Sequence, residues 1–182
     1  MSARRGLERL WAPWRMVYVS GADEPAGCLF CAVARSRDDR ANLVLARRPG
    51  AFLMLNRFPY TAGHLMVAVR GHRARFGRLT AVERADLLDL MALAERALGA
   101  EYHPHGMNLG VNVGRVAGAG YPGHLHVHVV PRWNGDTNFM STVAGARVLP
   151  ESLARTWARL RRAIRALERP TARRRRRRAP PA

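Results

Sequence analysis

Three histidines alternate with apolar residues in the C-terminal half of the chain. The stretch GHLHVHVVPRW, residues 123–133, places His124, His126 and His128 at every second position. Because successive side chains of a strand point to opposite faces, this spacing predicts a strand with imidazoles on one face and apolar side chains on the other. The apolar face would pack on the core and hold the imidazoles on a rigid scaffold, as a functional site requires.

A row of imidazoles can do nucleophilic chemistry at phosphorus. Neutral imidazole titrates near physiological pH, so it can attack a phosphoanhydride and later leave as a second nucleophile takes the phosphoryl group. Neighbouring histidines would fix the tautomer of the nucleophile or donate hydrogen bonds to phosphate oxygens. The alternative is a stripe of histidines that only binds a metal.

A glycine-rich loop, GRVAGAG at residues 114–120, immediately precedes this strand. Glycines let backbone N–H groups approach phosphate oxygens closely, and such donors would stabilise charge on those oxygens. Asn112, just before the loop, is a candidate for a hydrogen bond to ribose or phosphate. The loop and the histidine strand together indicate an enzyme that acts on a phosphorylated substrate.

The elements that must position these residues alternate between strands and helices. Thr80 and Glu83 form a T-x-x-E capping box, which predicts a helix that ends at Gly99. A last helix is predicted after Pro150. Three further apolar stretches have the character of strands: residues 51–56, 64–69 and 107–113. This order predicts an α+β fold, an antiparallel sheet with helices packed on it.

Composition limits the class of protein. The chain has 182 residues, 48% of them hydrophobic, and no apolar run long enough to span a bilayer. We identify no signal peptide and predict a cytoplasmic location. The net charge of +18 suggests nucleic-acid binding, but every basic residue is arginine, and a GC-rich genome would produce that bias without selection for binding.

We predict one domain with two flanking segments. Residues 1–25 would form an N-terminal arm, residues 26–169 the domain, and residues 170–182 a basic tail. Six consecutive arginines, Arg173 to Arg178, repel one another and predict disorder in the tail. The tail is either a weak polyanion-binding segment or a solvated segment of biased composition, and a polyanion-binding protein is the second class of function.

Cys28 and Cys31 form a C-x-x-C pair. In a cytosolic protein this spacing more often indicates a metal or redox site than a structural disulfide. The alternative is two reduced thiols without a ligand.

These motifs together resemble a known family. LWAPWRMVYV, NRFPYTAGHLMV, GVNVGRVAGAG and HLHVHVVPRWNGDTNFMSTV resemble the histidine triad (HIT) superfamily of nucleotidyl hydrolases and transferases. They are most similar to its actinobacterial branch, which acts on diadenosine tetraphosphate. The resemblance spans residues 7–165 and implies a HIT-like fold. It also implies a protein that is at least a dimer.

The resemblance implies roles for three histidines. His126, in the middle of the triad, matches the family's nucleophile, and His128 matches a residue that supports the phosphate and the nucleophile. His64, in GHLMV, matches an upstream supporting histidine. Family members act on α-phosphates of dinucleoside polyphosphates through a nucleotidyl-histidine intermediate and need no catalytic metal.

The resemblance also implies a nucleotide-binding region. Asn112 matches the asparagine at the phosphate and ribose, whereas Asn56 and Phe58 lie in the segment that lines the nucleoside pocket. The phosphate loop contributes Gly118, Ala119 and Gly120. Many members carry Gln or Ser just before the triad, where this chain has small residues. The added space would admit inorganic phosphate in place of water, which favours a phosphorylase. The alternative is a hydrolase of dinucleoside polyphosphates or adenosine phosphoramidates that uses water as acceptor.

Zinc-bearing members of the family use a histidine after the second strand and the first triad histidine as ligands. The resemblance therefore implies a structural zinc held by a closed set of four residues: Cys28, Cys31, His72 and His124. Such a set leaves no open position for catalysis.

Overall fold

A computed structural model describes residues 27–136 and 151–169 of the chain. The predicted arm and tail, residues 1–25 and 170–182, lie outside the described residues, so the predictions for them stay predictions. The helices are α1 (Leu29–Arg35), α2 (Ala81–Tyr102) and α3 (Leu153–Glu168). The strands are β1 (Val44–Arg47), β2 (Ala51–Leu55), β3 (Leu65–Val69), β4 (Gly106–Gly110) and β5 (His126–Arg132). Two 3-10 turns occupy Phe76–Arg78 and Arg115–Ala117.

The strands form one antiparallel sheet in the order β1-β2-β3-β5-β4. Strand β5, which carries two of the three histidines, therefore lies inside the sheet between β3 and β4. Backbone pairing on both sides holds its side chains in a fixed register. The α+β fold with an antiparallel sheet, predicted from the sequence, is confirmed.

The two faces of the sheet have different partners. Val127 of β5 pairs with Val67 of β3, and both side chains are buried in the core cluster formed with α2 and α3. His126 pairs with Ala68, whose side chain packs in a second cluster with Phe30 and Val33 of α1. The short helix α1 thus covers part of the face of the sheet that carries the histidines.

Helix α2 begins as predicted but ends later. Thr80 accepts a hydrogen bond from the N–H of Glu83, and the Glu83 carboxylate accepts one from the N–H of Thr80. The prediction that Gly99 ends the helix is wrong, since α2 continues to Tyr102. The buried side chains of Leu93, Ala94, Ala97 and Leu98, just before Gly99, offset the modest free-energy cost of a glycine inside a helix. The helix ends at His103, which has a left-handed φ of 46° and precedes a proline.

Helix α3 packs on the same face as α2. Its Leu160 and Ile164 are fully buried, and the indole N–H of Trp157 donates to the carbonyl oxygen of Val44 in β1 at 2.9 Å. The helix predicted after Pro150 is present, and its apolar side chains pack in the core. No helix within residues 27–136 and 151–169 is both long and apolar enough to cross a membrane.

Candidate active site

The nucleophilic geometry centres on His126, the first residue of β5. Its side chain is 5% exposed, and its Nδ1 lies 2.8 Å from the carbonyl oxygen of His124. A carbonyl oxygen can only accept, so Nδ1 carries the proton and the lone pair is on Nε2. Burial lowers the pKa of His126, which keeps the ring neutral and Nε2 available as a nucleophile.

A second pair of histidines lies beside this ring. The backbone N–H of Tyr60 donates to Nδ1 of His64 at 3.1 Å, so the proton of neutral His64 is on Nε2. That Nε2 lies 3.0 Å from Nδ1 of His128 and donates to it. The proton of neutral His128 is consequently on its own Nε2, where it can donate to a substrate oxygen.

The protonation state of His128 is set mainly by its surroundings. Burial, followed by repulsion from His126, lowers the pKa of His128 to about 4. The ring is therefore neutral at physiological pH, and it can donate a hydrogen bond without bringing a positive charge next to His126. Two successive hydrogen bonds, from the N–H of Tyr60 to His64 and from His64 to His128, orient this donor.

Residues predicted to line the nucleoside pocket lie next to this chain. The side-chain amide of Asn56 is 3.4 Å from Nδ1 of His64, and its oxygen accepts the N–H of Phe58 at 2.9 Å. Phe58 is 68% exposed, and the Tyr60 ring lies 4.6 Å from that of His64. The exposed Phe58 ring and the Tyr60 ring beside His64 could offer stacking surfaces for a base.

The glycine-rich loop is internally bonded. The side-chain amide of Asn112 donates to the carbonyl of Gly118 at 3.2 Å, and Gly118 has a left-handed φ of 85°. The N–H groups of Gly118 and Ala119 donate to Arg115 and Gly114 within the loop. Two of the predicted phosphate donors are thus used for the shape of the loop, and Asn112 holds that shape.

Four predicted metal ligands come together at the other end of the histidine row. The ligand atoms of Cys28, Cys31, His72 and His124 all lie within 4.8 Å of one another. His72 reaches this cluster from the loop after β3, and Gly123 makes room for its ring, because a Cβ there would lie 3.3 Å from Nε2 of His72. This group could hold a metal ion.

The geometry of the cluster fits a tetrahedral metal. Nδ1 of His124 lies 3.3 Å from Sγ of Cys28 and 3.6 Å from Sγ of Cys31, and Nδ1 of His72 lies 3.3 Å from Sγ of Cys31. Nitrogen and sulfur at two corners of a zinc tetrahedron are about 3.5 Å apart. Nε2 of His124 donates to the carbonyl of Val69 at 2.8 Å, so the lone pair of its Nδ1 faces the thiols.

Sequence reasoning missed two aromatic side chains of the site. Phe30, between the two cysteines, stacks on His126 with ring centroids 4.6 Å apart. Tyr60 stacks on His128 at 6.1 Å, and its backbone N–H fixes the tautomer of His64. Their positions inside the CLFC and NRFPYTAGH motifs were the only signal, since neither residue carries recognisable chemistry.

Comparison with known proteins identifies the family of the chain. The HIT domain family model matches residues 38–135. The chain belongs to the HIT domain family. A HIT relative named AP-4-A phosphorylase, from Mycobacterium tuberculosis, is 37% identical over 171 residues, 86% of this chain and 87% of that protein.

Two other proteins are similar to this chain over a smaller share of its length. A relative from Schizosaccharomyces pombe named adenosine 5'-monophosphoramidase is 29% identical over 59% of this chain and 75% of its own. A Zn-bound histidine triad family protein from Mycobacterium smegmatis has a similar structure, with a TM-score of 0.63 and 26% identity. That comparison covers 78% of this chain and 96% of the other.

Proposed function

We propose that this HIT protein transfers a nucleotidyl group from diadenosine tetraphosphate to inorganic phosphate through a covalent intermediate on His126. The products would be ATP and ADP. The observation that carries the proposal is the tautomer of His126, whose Nε2 has a free lone pair because Nδ1 donates to the carbonyl of His124. The likeness to AP-4-A phosphorylase over most of both chains supports this choice of substrate.

In the first half-reaction, Nε2 of His126 attacks the α-phosphorus of one adenosine. A P–N bond forms, the bond to the bridging oxygen breaks, and ATP leaves with the electron pair. The Nε2–H of His128 donates to an oxygen of the substrate as negative charge develops there. One such donor contributes roughly 10²- to 10³-fold to the rate.

In the second half-reaction, an oxygen of inorganic phosphate attacks the same phosphorus. The P–N bond breaks, its electron pair returns to Nε2 of His126, and ADP is released. The sequence supports phosphate as acceptor, because Ala119 and Gly120 carry no bulky side chain at the place where the family resemblance implies Gln or Ser in many members. Neutral imidazole is a suitable leaving group for this step.

A hydrolase that uses water in the second step is the alternative. It needs the same histidines and differs only in the acceptor, and it would release AMP in place of ADP. The same residues could also release an amine from an adenosine phosphoramidate with water as acceptor, and the similarity to a relative named adenosine 5'-monophosphoramidase supports that form of the alternative.

We also propose that the cluster of two cysteines and two histidines holds a structural zinc. The closed set of Cys28, Cys31, His72 and His124 provides four ligands, which leaves no position for substrate. A zinc ion would supply positive charge that keeps both thiols ionised, against the burial and the neighbouring Cys28 that raise the pKa of Cys31. The residues themselves would tie α1 to the start of β5.

Three further features concern location, assembly and the basic tail. A cytoplasmic location fits reduced cysteines that serve as metal ligands, because such thiols persist in reducing compartments. A homodimer is implied by family membership, and polyanion binding by the basic tail stays a prediction because the tail lies outside the described residues.

A product analysis tests the proposed reaction. Purified protein is incubated with diadenosine tetraphosphate, with and without inorganic phosphate, and the nucleotides are separated. ADP and ATP that form only with phosphate would support the phosphorylase. AMP and ATP in both samples would identify the hydrolase, and no product in either would overturn the choice of dinucleotide.

The role of His126 is tested by substitution. His126→Ala removes the nucleophile, so we expect turnover to fall by about 10³-fold or more. His105→Ala is the matched control, because His105 is exposed and bonds the backbone N–H of Asn134 at the far end of β5. Equal turnover in the two variants would contradict the assignment of the nucleophile.

A further inference from the structure

The ring of Phe30 lies flat against the ring of His126. The two centroids are 4.6 Å apart and the planes differ by 29°. Phe30 is 1% exposed, so its contact with the imidazole excludes solvent from that face. On another side, the ring of His128 meets His126 edge-on, at 5.1 Å and 72°. The nucleophile is thus in contact with aromatic rings of two different elements.

These contacts restrain a motion that the hydrogen bond of His126 does not. The bond from Nδ1 to the carbonyl of His124 fixes one atom of the ring, and the ring can still tilt about that point. The lone pair of Nε2 lies in the ring plane, so a tilt moves the lone pair off the line to phosphorus. A stacked ring on one face opposes the tilt directly.

Phe30 is itself held in place by its own element. It lies in the first turn of α1, between Cys28 and Cys31, and its edge contacts Tyr121 at 5.5 Å. Helix α1 has seven residues and no side-chain cap at its start. A helix this short is stable only through tertiary contacts, so the packing of Phe30 and the cysteines determines where α1 lies.

We propose that Phe30 is a positioning residue that fixes the ring plane of His126 for attack on the α-phosphorus. The proposal deepens the proposed function and rests on it, since the ring plane matters only if His126 is the nucleophile. Misplacement of a reacting atom by about 1 Å can cost roughly 10²-fold in rate. Loss of the stack should therefore lower kcat and leave substrate binding largely unchanged.

The test compares two Phe→Leu variants in the same apolar cluster. Phe30→Leu removes the stacked ring, whereas Phe52→Leu removes a fully buried ring on β2 that packs in the same cluster. Phe52 has no ring contact with His126. We expect kcat for diadenosine tetraphosphate to fall about 10- to 100-fold in Phe30→Leu, with KM changed less than about 3-fold. Phe52→Leu should keep a kcat near that of the native protein.

Phe30→Met serves as a second variant if Phe30→Leu does not fold, because methionine has a similar volume without a rigid ring. Bound metal is measured in every variant, so that a loss of the cysteine–histidine cluster is recognised. A kcat in the Phe30 variants equal to that of Phe52→Leu would overturn the proposal. A large rise in KM with unchanged kcat would also overturn it, since Phe30 would then be a binding residue.

A spectroscopic measurement separates this proposal from the proposed reaction. In the native protein, ring protons of His126 lie over the face of Phe30 and should be shifted upfield in the NMR spectrum. The shift should disappear in Phe30→Leu and persist in Phe52→Leu. If the protein fails to turn over diadenosine tetraphosphate, the proposed function fails while this measurement still tests the stack. Identical His126 shifts in all three proteins would show that the stack is absent.

Discussion

Removing the titration of His128 should flatten the response of the protein's stability to acid. His128→Asn is the perturbation of choice, because an asparagine oxygen can accept the Nε2–H of His64 in place of Nδ1 of the native ring. The groups that face His128 are His64, His126 and the ring of Tyr60, and all three remain in the variant. The two proteins then differ mainly in one titratable group.

The magnitude follows from the pKa of His128, which burial lowers from 6.5 to about 4 in the folded protein. Between these values the unfolded chain binds a proton that the folded protein excludes. The free energy of unfolding therefore falls as the pH is lowered below 6.5 and stops falling near pH 4. From pH 7.5 to pH 5 the contribution of His128 to this loss is about 2 kcal/mol.

Urea unfolding of both proteins at pH 7.5 and pH 5 provides the assay. The native protein should lose about 2 kcal/mol more than His128→Asn between the two pH values. All other ionisable side chains are common to the two proteins, so the difference between the two losses isolates the contribution of His128 and of its interaction with His126. An equal loss in the two proteins would show that His128 does not have a depressed pKa and that its neutral form is not fixed by burial.

Three further predictions concern the metal cluster and the scaffold. Cys31→Ser should reduce bound zinc from about one ion per chain to near zero and lower Tm, as measured by elemental analysis and thermal unfolding; full zinc occupancy would contradict the ligand set. Thr80→Ala removes the cap of α2 and should cost about 1 kcal/mol in urea unfolding, and no cost would refute the capping role. Gly50→Ala places a Cβ 2.8 Å from the backbone of Glu83 and should lower Tm strongly, whereas Gly77→Ala, with open space around it, should not; equal Tm values would show that β2 and α2 are not so close.

Much of the fold could be predicted because the patterns are local. The capping box marked the start of α2, and the alternation along residues 123–133 marked strand β5 and its two faces. Strand β1 was missed, since Val44–Arg47 is short and followed by arginine and proline. Helix α1 was missed because seven residues without a cap have little intrinsic helical signal, and its stability comes from contacts distant in the sequence.

In the site, too, residue identities could be predicted, whereas features that depend on contacts distant in the sequence could not. The four possible metal ligands came from the resemblance to the family, and the structure brings all four together. The tautomers of His126 and His64 could not be predicted, because they depend on a carbonyl and a backbone N–H placed by the fold. The hydrogen bonds that the N–H groups of Gly118 and Ala119 make within the loop could not be predicted either, because no residue type in the loop indicates them.

The central claim is that the nucleotidyl group passes through Nε2 of His126, and a trapping experiment tests it most directly. Protein and diadenosine tetraphosphate are mixed without phosphate, quenched rapidly in base, digested and mapped by mass spectrometry. Base is chosen because the phosphorus–nitrogen bond of a phosphohistidine is labile in acid. We expect an adenylyl group on the peptide that contains His126, and its disappearance with formation of ADP when phosphate is added before the quench. An adenylyl group on any other side chain, or a full turnover of the dinucleotide with His126 unmodified throughout, would contradict the account.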